Sequence, residues 1–284
     1  MDKPVPAKSP KYVACEEKDL VRENIIDAGQ NAIVYQGHGI AQGGQVSDQL
    51  IAIKVPKPDS MLDITNEIKA LEVFHAKPEE SGMIVGYYGH KSEQNQVKQV
   101  YLELLKGKTL SWAVDNKYFT TRDEDHKVRK SILVGVIEGI QFLIKHNASN
   151  VDFNVQNIWL QSAILAPIKL GFSGEIPDAT PLDTEIKVRL FDFGKTSFQG
   201  GQNPGTLLTI LRDMYKNYEL DDIKDSKTQF AKFVKKCEAE EIDLEELRKL
   251  LLQPEKKKEK KGKGDDGDDE GDDEEEDDED SDDF

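Results

Sequence analysis

The sequence predicts an α+β fold, in which a strand-rich N-terminal part carries one helix and a mainly helical part follows it. In residues 50–55, isoleucine and valine alternate with smaller or polar residues, and a period of two is typical of a β-strand. In residues 63–74, apolar side chains recur every three or four positions. This spacing predicts a helix with Asp63 as its N-cap.

A hairpin is predicted before this strand, and further helices are predicted later in the chain. Residues 26–37 have the pattern of two short strands around a turn, with Gly29 at the tip and Val34 beginning the second strand. Apolar residues recur at helical spacing in residues 206–215. The composition of residues 230–237 and 244–251 favours two further helices.

The tripeptide Asp-Phe-Gly at 192–194 is the most informative motif, because an aspartate that opens a loop after a strand can hold a magnesium ion on nucleotide phosphates. Its expected partners lie upstream. Lys54 lies on the predicted strand, where a lysine can neutralise phosphates if a neighbouring anion keeps it in place. Glu67, on the predicted helix, can be that anion. Taken singly, Lys54 and Glu67 could be two solvated surface charges; together with Asp192 they indicate a nucleotide site.

The predicted hairpin is a degraded version of the glycine-rich loop that covers nucleotide phosphates. Against the pattern G-x-G-x-x-G-x-V it keeps the middle glycine and the valine, with Asp27 and Ala32 in the outer glycine places. Ala32 still lets the backbone approach a phosphate, whereas Asp27 places a negative charge there. The residues expected to contact the nucleotide in this loop are Asp27, Ala28, Gly29, Gln30, Asn31, Ala32 and Val34.

Residues 142–160 resemble, without a gap, the end of a helix and the catalytic loop of the eukaryotic-type protein kinases. Asp152 and Asn157 have the D-x-x-x-x-N spacing, which lets the aspartate orient an attacking hydroxyl while the asparagine reaches a magnesium ion. The resemblance implies a two-lobed fold over residues 20–252. The N-lobe, about 20–105, would be an antiparallel sheet plus one helix, and the C-lobe, about 106–252, would be reduced and mainly helical.

The resemblance also implies that the chain binds ATP and Mg²⁺ and gives each motif residue a role. Lys54 would hold the α and β phosphates and be catalytic together with Asp152, while Glu67 would orient Lys54. Asn157 and Asp192 would bind the Mg²⁺.

A hinge between the lobes is expected at residues 99–110, which resemble the corresponding family segment. Leu102 would then lie at the back of the adenine pocket, with backbone groups of Glu103 and Leu105 facing the base. A short strand followed by an ordinary turn would give the same pattern.

The chain departs from the family pattern in and around the catalytic loop. Asn150 and Val151 replace the usual His-Arg, so regulation by activation-loop phosphorylation is not expected. Asn154 replaces the usual lysine, which removes positive charge from the transferring phosphoryl group and predicts a slow or inactive enzyme.

An insertion rich in Pro, Gly and Asp, about 162–185, is expected to form a hairpin or surface loop that could contact a partner. The segment 195–205 is short and no Ala-Pro-Glu follows it, which leaves the substrate class open.

The two ends of the chain differ in composition from the predicted domain. Residues 1–19 are expected to be a flexible lead-in, and residues 253–284 a disordered tail that is first lysine-rich and then acidic. Sixteen of the twenty residues 265–284 are Asp or Glu, and removing them changes the net charge from −17 to −1. The tail could merely keep the protein soluble, or it could bind basic proteins such as histones or a basic groove of its own domain.

Composition argues against several classes of protein. Cys15 and Cys237 are too few for a disulfide framework or a metal site, so a cytoplasmic or nuclear location is expected. We expect no signal peptide or membrane span, because the chain has no sufficiently apolar stretch. Nucleic acid is not an expected partner, because the acidic tail repels a duplex and the domain has no basic stripe with interleaved aromatic residues.

The sequence therefore predicts ATP-dependent phosphoryl transfer to a hydroxyl group, with serine or threonine of a protein substrate as the acceptor that the resemblance implies. Two alternatives stay open. The chain could be a pseudokinase that works as an interaction module through its insertion and acidic tail. It could also be a kinase of small molecules.

Overall fold

The N-terminal part of the fold is an antiparallel sheet of five strands. In the order β1-β2-β3-β5-β4 across the sheet, neighbouring strands are hydrogen-bonded. The strands are β1, Ile25–Ala28; β2, Ala32–Ile40; β3, Val46–Pro56; β4, Tyr87–Glu93; and β5, Gln96–Glu103. A 3₁₀ turn at Pro58–Ser60 leads from β3 into helix α1, Met61–Phe74. Ile64, Ile68 and Leu71 of α1 are buried in one core with β5.

The computed structural model describes residues 25–29, 31–40, 46–76, 82–118, 126–149, 151–165, 185–198, 206–215, 228–239 and 243–253. All of these residues belong to the compact unit Met1–Pro254. The predicted lead-in, the tail after Gln253, most of the insertion, and Gln30 of the predicted phosphate loop lie outside the described residues.

The rest of the described chain is mainly helical and carries a small second sheet. This sheet has three antiparallel strands in the order β6-β7-β8: β6, Gly107–Thr109; β7, Ile158–Gln161; and β8, Lys187–Leu190. The helices are α2, Leu110–Asp115; α3, Lys127–Lys145; α4, Thr206–Met214; α5, Gln229–Glu238; and α6, Leu244–Leu252. The predicted α+β class, with an antiparallel sheet first and helices after it, is confirmed, and the arrangement is consistent with a two-lobed kinase-like fold.

Helix α3 forms the centre of the helical part. Val136, Ile137 and Ile140 have no exposed surface, and α3 contacts β8, α4 and α6. Gly135 allows the helix to lie close to β8, because a Cβ there would come within 2.7 Å of a methyl carbon of Val188. This close packing fixes the strand that leads directly to residues 192–194.

Two boundaries differ from the sequence prediction. Helix α1 begins at Met61 with Ser60 as its N-cap, because the turn at Pro58–Ser60 already directs the chain into the helix. Asp63 lies in the first turn and accepts a hydrogen bond from Asn31 instead of capping. Strand β2 begins at Ala32, two residues before the predicted Val34, because Ala32 still pairs with the last residue of β3.

No helix in the described part of the chain is both long and apolar enough to cross a membrane.

Gly107 is expected to be essential for the pairing of β6 with β7. Its φ is +139°, and a Cβ would overlap the carbonyl oxygen of Leu160 on β7. We expect Gly107→Ala to lower the free energy of unfolding by about 3 kcal/mol, because backbone strain and a backbone clash add. Gly89 is the matched control, since its φ is +119° but nothing lies within 4 Å of the added carbon.

Urea denaturation of the two variants separates these contributions. Gly89→Ala should cost only the strain, about 1 kcal/mol. If Gly89→Ala and Gly107→Ala lower the free energy of unfolding by the same amount, the clash with β7 is relieved without an energetic cost.

Candidate active site

Lys54 lies on the face of β3 that is directed toward α1. Ile53 is buried on the opposite face with Tyr101, whereas Ala52 belongs to the main core. Side chains alternate between the faces of a strand, so Lys54 shares the face of Ala52. Its Nζ lies 2.7 Å from a carboxylate oxygen of Glu67 on α1.

The ion pair of Lys54 and Glu67 is shielded from solvent. The Glu67 side chain is 1% exposed and that of Lys54 is 13% exposed. Burial lowers the pKa of Lys54, but the carboxylates of Glu67 and Asp192 outweigh it, and the net effect raises the pKa above its ordinary value. Burial raises the pKa of the Glu67 carboxyl, and the Lys54 ammonium opposes that shift. Lys54 therefore stays charged at neutral pH.

Asp192 is the second anion at Lys54, with a carboxylate oxygen 3.5 Å from Nζ. Its backbone is in the left-handed region, with a φ of +63°. The Asp192 side chain is 46% exposed, whereas Phe193 is fully buried and packs edge-on against Phe74 of α1 at 5.1 Å. The core contact of Phe193 thus holds Asp192 at the open side of the site.

Asn157 and Asp192 lie at the same edge of the small sheet. Asn157 directly precedes β7, Asp192 follows β8, and these strands are paired antiparallel. The Phe191 amide also donates to the Asn157 carbonyl at 3.3 Å. The Asn157 side-chain nitrogen donates to the backbone carbonyl of Asp152 at 2.7 Å. The side-chain oxygen of Asn157, Oδ1, takes no part in this hydrogen bond.

The oxygen atoms of Asn157 and Asp192 fit the chemistry of Mg²⁺, which prefers oxygen ligands and usually combines one or two carboxylates with phosphates and waters. The described part of the chain holds no group of three or more His, Cys, Asp or Glu side chains that could bind a metal.

Asp152 has two partners at its carboxylate. Lys195 donates to Oδ2 at 2.8 Å, and Asn154 donates to Oδ1 at 2.9 Å. The hydrogen bond from Lys195 is the main cause that lowers the pKa of Asp152, and Asn154 adds to it. Asp152 is therefore ionised at neutral pH. Sequence reasoning missed Lys195, whose only signal was its place directly after Gly194.

The turn between β1 and β2 is held against the start of α1. Lys57 donates to the Gly29 carbonyl at 2.7 Å, and the Asn31 side chain donates to Asp63 at 2.9 Å. Asp27 and Ala28 are exposed, and the Asp27 carboxylate accepts the Ala28 amide.

Two further residues of the predicted phosphate loop lie on β2. Ala32 is buried, and Val34 pairs directly with Lys54 across β2 and β3. Cross-strand neighbours share one face of a sheet. Val34 and Lys54 therefore lie on one face of the N-terminal sheet.

The segment between the two sheets contains the predicted hinge. Leu102 is buried in the main core, and Leu105 lies between β5 and β6. The Glu103 amide donates to the Gly86 carbonyl at 2.8 Å, so this amide is already engaged within the fold. The Glu103 carboxylate accepts from Arg189 of β8 at 2.5 Å. This link between β5 and β8 was not predicted from the sequence.

Comparison with known proteins gives one partial similarity and no family assignment. No protein-family model matches the chain. Over 153 residues the chain is 28% identical to a probable serine/threonine-protein kinase of Dictyostelium discoideum. The match covers 51% of this chain and 27% of that protein, so the chain spans about a quarter of the length of the curated relative. The similarity supports a kinase-like relationship.

Replacing Lys54 by methionine should destabilise the fold. Lys54→Met leaves the Glu67 carboxylate buried without its partner, and breaking a buried ion pair costs about 3 kcal/mol of unfolding free energy. The double variant Lys54→Met with Glu67→Leu should regain most of this loss, because an apolar pair of similar volume removes the buried charge. Chemical denaturation of the three proteins checks both expectations.

Lys91→Met is the control, because its ion pair with Glu93 is exposed and should contribute little to stability. A double variant that is less stable than Lys54→Met would contradict the account of Lys54 and Glu67 as a coupled buried pair.

Proposed function

We propose that this chain transfers the γ-phosphoryl group of ATP to a hydroxyl group, with serine or threonine of a protein as the acceptor. The observation that carries the proposal is the position of the Lys54 ammonium, 2.7 Å from the buried Glu67 and 3.5 Å from Asp192. A fixed cation beside an exposed carboxylate suits a phosphate chain and its metal ion. The protein would hold these groups in place before the substrate arrives.

Each nucleotide contact is assigned to a named group of the chain. Lys54 binds the α and β phosphates, and Glu67 keeps its ammonium in position. Asn157 and Asp192 hold Mg²⁺, which supplies positive charge that neutralises the β and γ phosphates.

The N-terminal sheet and the hinge enclose the nucleotide. The turn from Asp27 to Val34 covers the phosphates, with the Lys57 ammonium at the Gly29 carbonyl as an added positive charge. The Glu103 carbonyl and the Leu105 backbone bind the adenine, and Leu102 closes the pocket behind it.

Asp152 orients the acceptor hydroxyl. Its lowered pKa makes it a weak base, so its main effect is to align the hydroxyl oxygen with the γ phosphorus, and it receives the proton late in the transfer. Most of the catalysis then comes from position and charge, as is usual for phosphoryl transfer.

The choice of a protein acceptor rests on the comparison and on the resemblance of residues 142–160. The matched protein of Dictyostelium discoideum is described as a probable serine/threonine-protein kinase. Because the match covers about half of this chain, a small-molecule acceptor is tested beside proteins.

The test is transfer of labelled γ-phosphate from Mg·ATP to basic and acidic proteins, to the chain itself, and to sugar or aminoglycoside acceptors. Asp152→Asn and Asp192→Asn preserve side-chain shape, and each should reduce transfer by about 100-fold or more. Asp115→Asn, at the exposed end of α2, is the control and should keep the wild-type rate.

Three results would change the assignment. Transfer that survives both substitutions would contradict the roles given to Asp152 and Asp192. Transfer only to small acceptors would replace the protein substrate by a small-molecule one. No transfer, together with no magnesium-dependent binding of ATP, would rule out the enzyme and favour an interaction module.

A further inference from the structure

The catalytic-loop segment carries no cation of its own. Residues 151–157 contain no lysine or arginine, and Asn154 stands where the resemblance leads us to expect a lysine. Asn154 instead builds the loop, because its side chain donates to Asp152 and accepts from the amides of Gln156 and Asn157. A neutral side chain held in this way cannot offset the charge of a phosphoryl group.

Lys195 brings a cation to the same carboxylate from another segment. Its ammonium donates to Oδ2 of Asp152 at 2.8 Å, while Asn154 occupies Oδ1. The negative charges of Asp192 and Asp63 also act on Lys195, after the nearer Asp152, and together they raise its pKa. The ammonium therefore lies in a field of three carboxylates.

The backbone on both sides of Lys195 is fixed by the fold. Phe193 is fully buried, and the amide of Thr196, a largely buried residue, donates to the Phe193 carbonyl at 2.9 Å. One residue further, Ser197 and Ser149 exchange two backbone hydrogen bonds, of 2.9 Å and 2.7 Å. The backbone position of Lys195 is thus set by these neighbours on either side.

Stability does not explain this placement of Lys195. Its side chain is 65% exposed and that of Asp152 is 41% exposed, and exposed ion pairs contribute little to folding. The exposure instead leaves the ammonium able to contact a ligand beside Asp152.

We propose that Lys195, from the segment after Asp192, supplies the positive charge at the transferring phosphoryl group that the catalytic loop lacks at Asn154. The inference rests on the proposed function. Lys195 is then a catalytic residue in its own right, and the substitution at position 154 does not by itself make the enzyme slow.

The step is a transfer of the γ-phosphoryl group of ATP. A bond forms between the acceptor oxygen and the γ phosphorus, and the bond from that phosphorus to the β,γ-bridging oxygen breaks, with its electron pair leaving on ADP. The hydroxyl proton passes to Asp152. Lys195 keeps its protons and donates hydrogen bonds to the γ-phosphoryl oxygens, where negative charge must be stabilised during the transfer.

The test compares four proteins that each span residues 1–284: wild type, Lys195→Met, Lys195→Arg and Lys187→Met. Methionine removes the charge and keeps an unbranched stem, and arginine keeps the charge. Lys187 is an exposed lysine of β8 and serves as the matched control. Two quantities are measured for each protein: the kcat of phosphoryl transfer, and the Kd values for ADP and for a non-hydrolysable β,γ-imido analogue of ATP with Mg²⁺.

We expect Lys195→Met to lower kcat by about 100-fold or more, the effect of removing one donor at a developing charge. It should weaken binding of the analogue by about tenfold, the value of a charged hydrogen bond, and leave the Kd for ADP unchanged because ADP has no γ-phosphate. Lys195→Arg should recover most of the kcat, and Lys187→Met should match the wild type.

The two measurements separate this inference from the proposed function. If Lys195→Met matches Lys187→Met in both kcat and analogue binding, the role proposed for Lys195 is wrong, but the proposed kinase function is retained. If Lys195→Met weakens the binding of ADP and of the analogue by the same factor, the proposed role of Lys195 is also wrong, because Lys195 then does not contact the γ-phosphate. If the wild type binds nucleotide but transfers no phosphoryl group, the proposed function is wrong. The ratio of the Kd values for the analogue and for ADP then still shows whether Lys195 contacts the γ-phosphate. If the wild type binds neither nucleotide, both proposals fail.

Discussion

The ammonium of Lys54 joins three parts of the chain that are distant in sequence. It lies on β3, its nearest partner Glu67 is on α1, and Asp192 follows β8. Burying a charge as shielded as that of Glu67 lowers the stability of the fold unless the charge is paired. The fold is therefore most stable with α1 in the position where Glu67 meets Lys54. The orientation of α1 against the sheet is thereby linked to the position of the cation that would bind phosphate. The remaining groups of the site are arranged around this pair.

The same helix also anchors the segment after β8. Phe74, the last residue of α1, contacts the rings of Phe142, Phe193 and Phe198. This aromatic cluster buries Phe193, and the residues on either side of Phe193 and Gly194 then emerge on the open side. Asp192 reaches Lys54, and Lys195 reaches Asp152. The burial of Phe193 in this cluster therefore positions both the carboxylate of Asp192 and the ammonium of Lys195, because aromatic side chains in a core have few alternative arrangements.

Much of the fold followed from local sequence patterns, and the Lys54–Glu67 pair was expected from its motif, whereas two other tertiary contacts between charged residues were not expected. The period of two around Lys54 and the helical spacing around Glu67 placed both residues on the elements that carry them. The expectation for Asp63 was wrong, because an N-cap and an acceptor for a distant asparagine have the same residue type. The contact of Lys195 with Asp152 spans 43 positions and that of Arg189 with Glu103 spans 86. Neither contact follows a local spacing rule, so neither could be predicted from the spacing of residues along the chain.

In the proposed function, Lys54, Asn157 and Asp192 form one site for a metal-bound nucleotide. The most direct test is calorimetric titration of the protein with ADP in the presence and absence of Mg²⁺. The account predicts that Mg²⁺ tightens ADP binding to the wild type and that this tightening is lost in Asp192→Asn, in which one metal ligand is neutral. Binding of ADP that is equally tight with and without Mg²⁺, or no binding under either condition, would contradict it.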